Sequence, residues 1–177
     1  MTLPRRGFWG AALALASLPL AGRAADNAAG DAVANPLDAD LAACRDLTLR
    51  ASMRMDANDA DGLAALFTPD LEFVRPATYP EVAIRGRAAL KAAIAARPPA
   101  FVSRHIFSNS VADRLGPDEV RVVSYFTHFS GMRTDGAAAI PMEHALRSLG
   151  EYEDRVVRTP GGWRIARRVA HFVFGGL

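Results

Sequence analysis

The chain predicts an α+β domain, because its apolar residues recur at helical spacing in the N-terminal half and with period two from Phe101 onward. Turn signals, Gly116-Pro117-Asp118 and Pro160-Gly161-Gly162, separate the period-two runs. The expected architecture is a curved antiparallel sheet wrapped round three N-terminal helices. With 177 residues, half of them hydrophobic, the chain has enough apolar side chain for one core.

The first 24 residues read as an export signal. Arg5 and Arg6 precede a mildly apolar stretch from Phe8 to Leu20, and Gly22-Arg23-Ala24 supplies small residues for cleavage near Ala24. That stretch is too short for a bilayer, which takes about 20 residues. The arginine pair and the weak hydrophobicity resemble a twin-arginine signal, although a usual Lys is missing and Gly10 stands nearby. Ordinary secretion and an uncleaved anchor are the alternatives. The expectation is a periplasmic or secreted protein with no stable membrane insertion after cleavage. Residues 25–35 read as a flexible leader, and 36–177 as the folded domain.

Charge does not point to an acidic partner. The formal charge is +2, but residues 1–24 carry Arg5, Arg6 and Arg23 and no acid, which leaves 18 basic against 19 acidic side chains. The remaining arginines are scattered among acids, so nucleic-acid binding is not expected. A single cysteine, Cys44, excludes an internal disulfide, and four dispersed histidines give no metal-site spacing. There is no Gly-rich phosphate loop, and no Gly-x-Ser-x-Gly elbow.

The first helix begins at Asn35-Pro36, a cap followed by Pro at the first helical position. Leu37, Leu41, Cys44, Thr48, Ala51 and Met55 form its buried stripe, and Asp56 falls beside the stripe at the C-terminal end. A second helix follows Asp59, turns Leu63, Leu66 and Phe67 inward, and stops before Thr68-Pro69. Leu71 to Val74 is a short strand, and Gly86 to Arg97 a third helix ended by Pro98-Pro99. Four longer strands follow: 103–115, 120–129, 143–159 and 163–174.

The run Met55-Asp56-Ala57-Asn58-Asp59, then Leu66-Phe67-Thr68-Pro69-Asp70, Ile84-Arg85-Gly86, Ser103-Arg104-His105, Gly150-Glu151-Tyr152-Glu153-Asp154-Arg155 and Gly162-Trp163-Arg164-Ile165 resembles the SnoaL-like branch of the nuclear transport factor 2-like superfamily. The resemblance implies a cone-shaped α+β barrel with a mostly apolar pocket, and homodimers formed through the outer face of the sheet. It also implies cofactor-free proton chemistry, as in the superfamily's scytalone dehydratase, bile-acid dehydratase and hexachlorocyclohexane dehydrochlorinase patterns. There, an Asp ending the first helix and a His on the strand after the third helix form an acid/base dyad. Asp56 and His105 match those positions, and His128 stands near a second histidine of the scytalone dehydratase pattern.

Departures from that pattern bear on the substrate. Met55 and Arg75 stand where scytalone dehydratase has tyrosines, so two hydroxyls are absent, and Tyr79, Tyr125 or Tyr152 is the available replacement. Arg75 favours an anionic or carbonyl group if it points inward. Asn109, with Ser108, falls either at the pocket mouth or in a turn or bulge. The implied function is a dehydratase, isomerase or related lyase acting on a small apolar or carbonyl-containing ligand. The alternatives are a non-catalytic small-molecule-binding or dimerisation module, and an accessory subunit like those of ring-hydroxylating dioxygenases. Each residue also has a structural reading. Asp56 suits a helix boundary, a lone strand histidine is commonly a satisfied polar group, and Trp163 after Gly-Gly suits hairpin packing. His144 and His171 have no partner by spacing.

Overall fold

The computed structural model describes residues 36–75 and 82–175. The expected signal and leader lie outside the described residues, as does Tyr79.

Helix α1 (Pro36–Asp56) buries the stripe that its spacing predicts: Cys44, Thr48, Ala51 and Met55 are all buried. It packs against the inner face of the sheet, and none of the described helices is long and apolar enough to cross a membrane. Asn58, in the left-handed region at φ 55°, turns the chain out of α1, a conformation Asn tolerates better than most residues. Asp59 then caps α2 (Ala60–Ala65), accepting a hydrogen bond from the Gly62 N–H at 2.8 Å.

Helix α2 is shorter than its apolar spacing predicts. Phe67 is buried as the first residue of strand β1 (Phe67–Arg75), and Thr68-Pro69 belongs to that strand rather than to a helix stop. The strand accommodates Pro69 because its register with the last strand breaks between Phe67 and Glu72, and pairing with β2 (Val82–Arg85) begins only at Glu72. No ladder hydrogen bond is required of the missing N–H there. Strand β2 itself is too short to show a period. Helix α3 (Arg87–Ala95) follows Gly86, whose φ of 79° suits glycine.

Strands β3 (Phe101–Gly116), β4 (Glu119–Met132), β5 (Leu146–Thr159) and β6 (Gly162–Phe174) form the expected antiparallel meander. A single 3-10 turn, Met142–His144, precedes β5, so that strand starts later than its composition suggests. The six strands run in the order β2-β1-β6-β5-β4-β3, and the sheet is curved and unclosed. It is mixed rather than wholly antiparallel, since β1 pairs with β6 in parallel. Residue periodicity sets which face a side chain takes and carries no information about strand direction, so this pairing had no sequence signature.

Register breaks in β3 between Ser108 and Val111, and in β5 at Leu149/Gly150, increase the bend. At Gly150 a Cβ would lie 2.1 Å from the His171 carbonyl oxygen and 3.0 Å from the Phe126 ring. Only glycine permits that approach.

The core fills the space between the helices and the concave face, with Leu63, Leu71, Leu90, Val122, Phe126 and Ile165 almost wholly buried. It also contains an ion pair. Arg168 Nε and Nη2 each donate to Asp154 at 2.7 Å, both side chains are fully buried, and Thr48 Oγ1 donates to Asp154 Oδ2 at 2.8 Å. Trp163 packs at the β5–β6 hairpin, as expected, and its indole N–H donates to Asp40 at 2.9 Å.

Candidate active site

The C-terminus of α1 delivers Asp56 to the start of β3. Asp56 Oδ1 accepts hydrogen bonds from Ser103 Oγ and from His105 Nδ1, each at 2.7 Å, and Oδ2 accepts from the His105 backbone N–H at 2.7 Å. Burial pushes the Asp56 carboxyl up. The bonds and charge from His105, with that from Ser103, outweigh burial and hold it below the ordinary carboxylate range. An ionised carboxylate only accepts, so the network assigns the proton to Nδ1 and leaves the Nε2 lone pair free of it. The Tyr152 hydroxyl stands 3.2 Å from Nε2 and donates to it.

His105 and His128 face each other across the β3–β4 ladder. The His105 N–H is turned away from β4 towards Asp56, which makes this a non-hydrogen-bonded pair of the closer kind. Their rings stack with centroids 4.4 Å apart. Burial, with the like charge of His105, pushes His128 down to about 4, against the opposing pull of Asp56, so the ring is neutral at pH 7. Its nearest polar partner is Ser148 Oγ at 3.5 Å. The expected protonation of a leaving hydroxyl by His128 calls for the imidazolium, whereas the neutral ring keeps a single, very weakly acidic N–H.

The Tyr152 hydroxyl is protonated. Burial pushes its phenol up to about 12. The ring stacks on Phe126 at 4.5 Å, and the Arg168 guanidinium lies 4.4 Å from its centroid. These contacts fix the hydroxyl beside Nε2.

Met55, Arg75, His105, His128 and Tyr152 all line one cavity of about 350 Å³. Its walls are otherwise largely aromatic and aliphatic, including Phe73, Phe101, Phe126 and Phe172. Asp56 sits behind His105 rather than on the wall. Tyr125 and Asn109 are not among the lining residues. Tyr125 is 46% exposed because it alternates with the inward, buried Ser124 and Phe126. Asn109 occupies the β3 bulge at φ 49°, where its side chain is exposed, so the bulge reading is the one the backbone adopts. Among the described residues no group of three His, Cys, Asp or Glu side chains is placed to hold a metal.

Sequence reasoning missed Ser103 and Arg97. Ser103 shares the inward phase of His105 two residues on, so its position was readable. Arg97 follows α3, where no periodicity applies. It lines the cavity and donates to the Met55 carbonyl at 2.8 Å and to Asn58 Oδ1 at 3.1 Å.

The domain as a whole has counterparts among known proteins. A SnoaL-like domain profile matches residues 39–169, from the first turn of α1 to the middle of β6. The chain belongs to the SnoaL-like domain family.

Among solved structures, this SnoaL-like protein is similar to a scytalone dehydratase-like protein from Novosphingobium aromaticivorans at 25% identity and TM-score 0.63, over 79% of this chain and 90% of that one. An NTF2-like protein with a cystatin-like fold from the same organism is 21% identical, with TM-score 0.63 over 86% of this chain and 94% of that one. A hexachlorocyclohexane dehydrochlorinase, type 2, is 14% identical, with TM-score 0.64 over 80% and 92%, a likeness of fold alone. No curated protein sequence matches the chain. The family includes dehydratases, isomerases and dehydrochlorinases, and is known for small-molecule binding.

Proposed function

We propose that this protein is an acid/base lyase or isomerase that removes a carbon-bound proton from a small, largely apolar substrate held in the cavity. The observation that carries this reading is the 2.7 Å bond from His105 Nδ1 to Asp56, with Nε2 turned to the cavity and 3.2 Å from the Tyr152 hydroxyl. Asp56 fixes the tautomer and stabilises the imidazolium that forms, so Nε2 is the general base. The walls around it are largely apolar. Tyr152 then donates its hydrogen bond to the substrate oxygen instead of to Nε2, stabilising charge that develops there.

In a dehydration, the C–H electron pair becomes the new π bond as the C–O bond breaks. The proton taken by Nε2 is returned to the departing oxygen, which leaves as water, and His105 is restored neutral. In an isomerisation the same proton is returned to a different carbon. Both outcomes need one base and one oxygen-directed donor, and the cavity provides one of each. The likeness to a scytalone dehydratase-like protein supports an elimination.

The test begins with native mass spectrometry of His105→Ala protein, to identify a ligand that co-purifies. That ligand is then incubated with the wild-type protein in D2O. Loss of water or deuterium incorporation by wild type, absent with His105→Ala, is the expected result. Full activity in the His105→Ala protein would overturn the assignment.

A further inference from the structure

Five ionisable side chains line the cavity, and two of them are guanidinium groups. Arg75 and Arg97 stand on its wall together with His105, His128 and Tyr152, and among the described residues none that lines it is an acid. Among the described residues, neither arginine has a carboxylate within 4.0 Å. Other arginines of the sheet do: Arg85 to Glu72 at 2.8 Å, Arg121 to Glu153 at 2.7 Å and Arg168 to Asp154 at 2.7 Å. Asp56, the acid nearest the site, is already committed to three hydrogen bonds from Ser103 and His105.

Arg97 is held in place by neutral groups only. Its Nη1 donates to the Met55 carbonyl and the Asn58 side chain, and its guanidinium lies 5.1 Å from the Phe101 ring centroid. Burial opposes its charge, Asp56 and then Tyr152 pull the other way, and the like charge of Arg75 adds to the opposition. A half-buried cation with no carboxylate within salt-bridge distance among the described residues is costly unless something else supplies the negative charge. The Met55 carbonyl it grips belongs to the residue before Asp56, so the positive charge sits at the dyad end of the cavity.

We propose that the cavity is built for a carboxylate: its substrate is an apolar molecule bearing one carboxylate group, which Arg97 and Arg75 hold while the apolar body lies against Phe73, Phe126 and Phe172. This rests on the reading that the cavity is the active site, and it narrows the substrate class. Guanidinium groups suit a carboxylate because their paired N–H donors match its two oxygens. A cavity of about 350 Å³ has room for a molecule of one ring with a short chain.

Binding of cinnamate and of its neutral isostere cinnamamide, followed by isothermal titration calorimetry, tests this directly. Wild-type protein is expected to bind cinnamate at least tenfold more tightly than cinnamamide. Arg75→Met/Arg97→Met protein is expected to bind both with the weaker affinity, cinnamamide changing by less than threefold. Arg75→Met alone removes no hydrogen bond described in the structure, so it guards against loss of folding, and it is expected to weaken cinnamate at least threefold. Equal binding of the two ligands by wild type, no binding of either, an unchanged cinnamate affinity in Arg75→Met, or a preference that survives in the double variant would each overturn the proposal. His105→Ala protein is expected to keep the tenfold preference. Failure of the catalytic reading therefore leaves this result standing, and loss of the preference leaves the catalytic reading standing.

Discussion

Asp56 binds His105 twice, once through the ring Nδ1 and once through the backbone N–H, both at 2.7 Å. One carboxylate thus sets the position of the strand and the orientation of the ring on it. Asp56→Asn keeps the shape but offers an N–H to the ring, which favours the tautomer with its proton on Nε2. The expected result is a fall in turnover of about 10²–10⁴-fold, with the tautomer change visible in the ¹⁵N shifts of the His105 ring. An unchanged tautomer with unchanged turnover would sink the orienting role of Asp56.

Tyr152→Phe removes one hydroxyl from a ring that stays packed on Phe126. Turnover is expected to fall by about 10²-fold, chiefly in kcat, because the lost donor acts where charge develops. Thermal melting should move little, and wild-type kcat in the variant would remove Tyr152 from the mechanism.

His128 ties stability to pH. Its folded pKa, about 4, lies below the ordinary 6.5, so the unfolded chain binds more protons between those values. The stabilisation is complete above about pH 6.5 and is lost as pH falls towards 4, on the order of 2 kcal/mol. Asp56, whose pKa is depressed, adds a further loss below the ordinary 3.8. Melting curves of wild type and His128→Asn between pH 7 and 4 should diverge, the variant declining less. Parallel curves would show that His128 is not buried neutral.

The Arg168–Asp154 pair under Tyr152 is expected to punish single substitutions. Asp154→Asn leaves a buried guanidinium without its counter-charge, a loss of roughly 3–5 kcal/mol, whereas Asp154→Leu combined with Arg168→Met is expected to cost less than either change alone. Urea unfolding of Asp154→Asn, of the double variant and of its two single parents gives the comparison. Additive losses would mean that the two charges do not depend on each other.

The outer face of the sheet exposes Ile106, Val111, Leu115, Tyr125, Leu149 and Val173. Apolar exposure on that scale is expected to be covered by a second copy of the chain. Light scattering of purified protein should give twice the chain mass, and Ile106→Glu should give a monomer that retains the fold. A wild-type monomer at high concentration would refute the dimer.

Much of this was readable because side-chain phase is a local property. The α1 stripe placed Asp56 beside the core, and period two turned Ser103, His105 and Tyr152 inward together. The same counting puts Tyr125 outside, where choosing it by residue type had set it in the pocket. Phase fails where the register breaks, as at Asn109, and where a strand is as short as β2. It also misleads for Asp154 and Arg168, since a charged pair is read as solvent-facing unless its partner, on the neighbouring strand, is known. Arg97 depends on the approach of α3 to the end of α1, a tertiary relation with no local trace.

Among the described residues strand β3 is an edge of the sheet, with β4 on one side and no strand on the other. A bare edge invites a foreign strand to add to it and begin an aggregate. At His105 the outward N–H is already occupied by Asp56, so the carboxylate stands where an intruding strand's carbonyl would dock. An Asp56→Ala protein is therefore expected to aggregate through β3 faster than wild type, even under conditions in which its fold survives.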